Sequence, residues 1–219
     1  MKIGLFDSGI GGTTILNAIQ EILPDEEYKY IADSKNCPYG EKSDRELRQI
    51  VTKNVKTLQK WGAKIIVVAC NTATTRCISY LRKKFPELQF VGTEPAIKLA
   101  VQSGAKNILV MATPGTIRSE RLRYLLKKNQ KSNQTIKLLA CPGLADLIEK
   151  NYPSHNLEPI TNYLTTLFEE IDQTPDAIVI GCTHYLLIKD QIRMFFSNSK
   201  LIDGNAGIVK RVQDLKNVL

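Results

Sequence analysis

Only two histidines, His155 and His184, and a single tryptophan occur in the 219 residues, and none of the five cysteines belongs to a CxxC pair. That scarcity excludes zinc fingers and ribbons, which need four closely spaced nitrogen or sulfur ligands. The odd cysteine count also argues against a disulfide framework and for reduced thiols. No apolar run approaches the roughly 20 residues of a membrane-spanning helix. The opening MKIGLFDSGIGG has no basic leader followed by an apolar core and a small-residue cleavage site. A soluble, cytoplasmic protein with no membrane partner is the expectation. Aromatic residues make up 7% of the chain, and between Arg118 and Lys137 only Tyr124 interrupts a basic run of Arg121, Arg123, Lys127, Lys128 and Lys131. Single-strand binders stack bases on aromatic rings. The formal charge of +8 therefore permits a nucleic acid partner, but a solvated helix face accounts better for the run.

What the chain does contain is eight short β-rich runs alternating with amphipathic stretches: KIGLF, YKYIA, KIIVVA, QFVG, NILVMA, IKLLA, AIVIG and KLID. Alternation of this kind predicts parallel sheets covered on both faces. Ser43 with Glu46 forms a capping-box pattern opening a helix that runs to Trp61 and stops at Gly62. Pro95 and Pro114 mark first helical turns, and Asn156 caps a helix reaching Ile171. Cys70 ends the third strand and Cys182 the seventh, 112 residues apart, so the chain reads as two copies of one plan. The fold class is α/β: two similar doubly wound domains with mainly parallel sheets. The expected division is residues 1–96 with 205–219, and 97–204. Ligands of open α/β sheets bind beyond the carboxyl ends of the strands. The site is therefore placed in the cleft between the halves, with one thiol on each side.

IIVVACNTA and IVIGCTHYL each run an apolar strand into a cysteine and then into polar residues. A thiol there meets the positive end of the following helix, which favours its thiolate. Asn71 and Thr183 are suited to cap those helices. A single cysteine in an apolar strand is commonly a small buried hydrophobe; two in matching positions point to chemistry. Two acid/base groups on opposite faces of one carbon suit stereoinversion. His184 and Asp7 are the candidate helpers. In DSGIGGTT, Gly9, Gly11 and Asp33 satisfy part of a dinucleotide fingerprint, but Thr14 replaces its third glycine. GxSxG fails around Ser8. A tight turn that offers Ser8 and backbone donors to an anionic group remains. Within CPYGEKS, Pro38 and Gly40 shape a loop that turns Tyr39 toward the cleft. Cys37, Cys77, Cys141 and His155 lack such settings and are read as structural.

FDSGIGG, DSKNCPYGEKS, ACNTAT, GTEPAIK, ATPGTIRS and GCTHY, in this order, resemble the cofactor-independent glutamate racemases of the aspartate/glutamate racemase superfamily. The resemblance implies two α/β domains, with the last segment returning to the first. It implies interconversion of L- and D-glutamate for peptidoglycan, with no cofactor and no metal. By it, Cys70 is the base toward the D-enantiomer and Cys182 toward the L-enantiomer, assisted by Asp7 and His184 respectively. Ser8, Tyr39, Gly40, Asn71, Thr72 and Thr183 match substrate-binding positions, with Pro38 in the same loop and Thr113 and Thr116 contributed by the second domain. Glu149 and Asp33 fall where further functional acids occur. The partner is a small-molecule amino acid, and a homodimer is an assembly open to the chain. Asn36 replaces an arginine common in the family and Leu186 the proline of GCTHYP, which bears on the helix start beside Cys182. Relatives continue past the equivalent of Leu219 into a longer terminal helix, which bears on stability and on any dimer. The enzymatic alternatives are an aspartate racemase or one-cysteine decarboxylases and isomerases of the superfamily. The other is a catalytically weakened basic relative acting as a binding or regulatory protein.

Overall fold

All eight β-rich runs form strands in the computed structural model, which describes residues 1–219. They are β1 (Lys2–Asp7), β2 (Glu27–Ala32), β3 (Ile65–Val68), β4 (Gln89–Gly92), β5 (Asn107–Ala112), β6 (Thr135–Ala140), β7 (Ala177–Gly181) and β8 (Lys200–Ile202). The helices are α1 (Thr13–Ile22), α2 (Asp44–Trp61), α3 (Asn71–Lys84), α4 (Ile97–Gln102) and α5 (Pro114–Ile117), then α6 (Glu120–Asn129), α7 (Leu144–Asn151), α8 (Glu158–Phe168), α9 (Lys189–Phe195) and α10 (Asn205–Lys216). None is long and apolar enough to cross a membrane.

The strands form two four-stranded sheets ordered β2-β1-β3-β4 and β6-β5-β7-β8, with every pairing parallel. The same order arises twice, as the two-copy reading of the sequence requires. Continuous apolar runs such as Ile65–Val68 and Ala177–Gly181 occupy interior positions and are buried throughout. Because side chains alternate along a strand, Ile66 and Val68 join the core under α2 and α3. Ile65 and Val67 join the one under α1 and α10. The second sheet divides likewise: Ile178 and Ile180 pack with α7, α8 and α9, whereas Ala177 and Val179 pack with α4 and α6. Register then places the site, because Phe6 pairs with Val68 and Ala112 with Gly181. Asp7 and Cys70 emerge together from one sheet, and Thr113 and Cys182 from the other.

Local chemistry sets most boundaries. Ser43 and Glu46 form the capping box of α2, and Gly62 ends that helix in the left-handed region at φ 97°. Thr113 caps α5 with Pro114 in its first turn. Two expectations shift. α4 begins at Ile97, two residues beyond Pro95, and α8 begins at Glu158 after Leu157 and ends at Phe168, so Asn156 is not its cap. α10 lays Ile208, Val209, Val212 and Leu215 onto Ile3, Leu5, Ile15 and Ile19, and Lys216 pairs with Glu26 at 2.6 Å. The C-terminal helix is thus part of the first core. Leu215→Ala should destabilise the protein by roughly 2–5 kcal/mol, whereas Met194→Ala, at a side chain 72% exposed, should change stability by less than about 0.5 kcal/mol. Urea unfolding of the two variants checks the contrast.

Candidate active site

Asp7 leaves β1 fully buried. One carboxylate oxygen accepts the Ser8 N–H at 2.7 Å, and the other accepts the Gly12 N–H at 2.7 Å and the Thr183 hydroxyl at 3.1 Å. The Ile10 N–H of the same turn donates to Glu149 at 2.8 Å. The donors of the DSGIGG turn are therefore held by the protein's own carboxylates, a correction to their reading as an open anion cradle. The glycines answer to close approach of the second half. A Cβ on Gly11 would come within 2.5 Å of the His184 backbone nitrogen, and one on Gly9 would overlap the Glu149 carboxylate.

Cys70 and Cys182 themselves occupy the N-cap positions, with extended backbones, so Asn71 and Thr183 are the first residues of the segments that follow rather than their caps. After Cys182 the chain makes a 3-10 turn over Thr183–Ile188 before α9 starts, and Leu186 packs on the second core. The thiols are 5% and 6% exposed. Burial first, then the Asp7 charge and that of Cys182, push the Cys70 thiol well up, against the Ala73 N–H. The resting state of Cys70 is thus the thiol, and the helix terminus does not override desolvation. Burial also raises the Asp7 carboxyl, although the His184 charge and its hydrogen bonds act the other way. Asp7 and Cys70 contact one another through a side-chain hydrogen bond.

His184 is 1% exposed and its Nε2 lies 2.9 Å from Glu149 Oε2. Burial alone lowers its pKa. Contacts with Cys182, Cys37 and Glu149, and the charge of Asp7, outweigh that and raise it well above the ordinary value. Burial opposes ionisation of Glu149, but hydrogen bonds from His184, Ser34 and Ile10 prevail and lower its pKa. Cys37 departs from its structural reading. Its sulfur, a Glu149 oxygen and a His184 nitrogen lie within 4.8 Å of one another, a donor set able to hold a soft divalent ion. Ser34 and Cys37 are the neighbours that the sequence did not single out. Their place in the DSKNCPYG loop is the signal that could have found them.

The remaining candidates divide between cleft and scaffold. Thr72 bonds Thr113 at 2.8 Å and Thr116 at 3.3 Å, joining the halves through three buried hydroxyls. A Cβ on Gly40 would lie 2.8 Å from Thr113 Cβ. Asn71 and Ser8 are buried beside the thiols' strand ends. Tyr39, contrary to expectation, turns its ring into the first core, where its hydroxyl donates to Asp33 at 2.6 Å and accepts from Asn54 at 3.0 Å. Asp33 also accepts from Asn36 at 2.8 Å. It anchors the loop that Pro38 and Gly40 shape rather than facing the thiols. Cys77 and Cys141 lie in the two cores, and His155 ends the turn after α7.

The His184–Glu149 pair has a defined pH signature. With its folded value raised, His184 stabilises fully below its ordinary 6.5 and loses that contribution as pH rises through the raised value. Glu149, with its folded value lowered, stabilises above its ordinary 4.5 and loses that contribution as pH falls through the lowered value. The pair contributes most between pH 4.5 and 6.5. Glu149→Gln should cost about 2–3 kcal/mol in that window and less as pH rises. Denaturant unfolding across a pH series checks it; a constant loss from acid to alkaline pH would contradict it.

The model of the Asp/Glu/hydantoin racemase family matches residues 12–212. Glutamate racemase of Clostridium acetobutylicum is 38% identical over 213 residues, covering 96% of this chain and 82% of that protein. The crystal structure of Escherichia coli glutamate racemase, in complex with L-glutamate and the activator UDP-MurNAc-ala, superposes with a TM-score of 0.85 at 30% identity, covering 97% of this chain and 80% of that one. Glutamate racemase of Francisella tularensis in complex with D-glutamate gives a TM-score of 0.78 at 31% identity, covering 98% and 80%. Matched through both sheets and from one strand-end thiol to the other, the chain belongs to the Asp/Glu/hydantoin racemase family.

Proposed function

We propose that the protein is an isomerase that interconverts L- and D-glutamate through two thiols acting on opposite faces of the α-carbon. The observation that carries this reading is the pair Cys70 and Cys182 at equivalent strand ends of two equivalent sheets. A carboxylate adjoins the first and an imidazolium the second. The similar structures that hold L- and D-glutamate support the choice of substrate.

In the D-to-L direction the Cys70 thiolate takes the α-proton, and the electron pair stays on the substrate as a planar carbanion. The Cys182 thiol then delivers its proton to the other face. L-Glutamate leaves with Cys70 as thiol and Cys182 as thiolate, and the reverse direction exchanges the roles. Cys70 rests as a thiol, so it must first lose its proton, and Asp7 is the adjacent acceptor. The substrate ammonium favours that transfer by placing positive charge beside both groups. His184, held cationic by its contacts with Cys182, Cys37 and Glu149, faces the charge that Cys182 carries after giving up its proton. The free N–H groups at the start of α3, with Asn71 and Thr183, suit the substrate carboxylate. Ser8, Thr72, Thr113 and Thr116 line the seam around it, and Pro38 and Gly40 shape its edge.

The same reading divides the chain into residues 1–96 with 205–219, and 97–204; the packing of α10 on α1 supports this. D-Glutamate for peptidoglycan is the role that accompanies the activity. Cys70→Ser and Cys182→Ser should each slow racemisation by about 10²–10⁴-fold. In D2O the unaltered protein should exchange the α-proton of glutamate, read by proton NMR, with loss of optical activity. A single variant racemising at the unaltered rate would exclude the two-thiol mechanism, and exchange confined to aspartate would reassign the substrate.

A further inference from the structure

Away from the thiols, between α2 and α3 on one side and α5 and α6 on the other, lies a cavity of about 510 Å³ lined by nine residues, none of them hydrophobic. Arg48 and Arg76 enter it from the first half, and Arg118 and Arg123 from the second, against two carboxylates, Asp44 and Glu120. Asp44 is engaged by Arg76, whose Nε donates to it at 2.8 Å. Arg48, Arg118 and Arg123 form no ion pair across the cavity. Arg193, Arg76 and Arg121 are the arginines that pair with acids in this chain. The Nη1 of Arg76 is buried beside Gly115 with no hydrogen-bond partner, and a Cβ on Gly115 would come within 3.1 Å of it. Ser119, at the N-cap of the ten-residue α6, also lines the space.

Four guanidinium groups against two carboxylates, one of them already engaged by Arg76, on a wall with no hydrophobic side chain favour a compact multiply charged anion over a hydrophobic ligand. Guanidinium forks match phosphate oxygens bidentately, which a single carboxylate exploits less fully. We propose that this cavity binds a small phosphate-bearing anion, of the diphosphate or phosphate-ester class, that bridges the two halves of the protein. The absence of aromatic rings from its lining separates it from a nucleic-acid groove that stacks bases.

Inorganic pyrophosphate is the probe, titrated calorimetrically at fixed ionic strength. One saturable site per chain is expected, with affinity at least tenfold weaker in R118Q/R123Q, whose two side chains are exposed. R48Q alone should weaken it several-fold, which keeps the test available should the double variant fold poorly. Circular dichroism reports the fold of each variant. No saturable heat, equal affinity in the variants, or heat reproduced by chloride at the same ionic strength would overturn the proposal.

Discussion

The Asp7 carboxylate is the point on which the site turns. It is fully buried, and a charge there is tolerable only if its oxygens are satisfied. The Ser8 and Gly12 N–H groups do this from its own turn and the Thr183 hydroxyl does it from the other half. One side chain therefore shapes the glycine turn, ties the two strand-end segments together and adjoins the Cys70 thiol. The turn must be glycine-rich because the opposite backbone packs directly on Gly11. Catalytic demand and packing demand fall on the same six residues.

Twofold repetition gives the thiols equivalent backbone positions, but their electrostatic settings differ. Cys70 has an anionic neighbour and a fully buried position, and both oppose its ionisation. Cys182 has His184, which contacts with Cys182 itself, Cys37 and Glu149 keep cationic. Glu149 itself comes from α7 and reaches the Ile10 N–H and the Ser34 hydroxyl of the first half. The asymmetry suits a reaction whose two directions begin from different protonation states. In the proposed reaction Cys70 ionises once substrate charge lies beside it, while Cys182 has a cation already in place.

Much of this was legible in the sequence because it follows from local rules. Short β-rich runs alternating with amphipathic stretches located every strand, and the repeated position of Cys70 and Cys182 located the cleft between two equivalent sheets. The box from Ser43 to Glu46 and the glycine at position 62 bounded α2 because caps depend on near neighbours. The failures were tertiary. Tyr39 is polar at one end and apolar along its body, and only the position of Asn54 on α2 decides that its hydroxyl is satisfied inside the core. Cys37 reads as an ordinary loop cysteine until α7 brings Glu149 beside it. The direction of the Cys70 shift required the burial of the whole strand end, which outweighs the helix terminus that the sequence displays.

The closed cleft also determines how substrate must enter. With the thiols 5% and 6% exposed, a five-carbon amino acid reaches them only when the halves part. The contacts that separate are polar: Thr72 with Thr113 and Thr116, Thr183 with Asp7, Arg121 with Glu94, and the hydrogen bonds Glu149 accepts from Ile10 and Ser34. Each is worth about 0.5–1.5 kcal/mol net, so opening costs on the order of a few kcal/mol while each core stays intact. The apolar clusters do not cross the seam: each is built on one sheet and its own covering helices. Polar contacts between the halves and apolar contacts within them are what allow the protein to open for substrate and exclude water during proton transfer without unfolding either sheet.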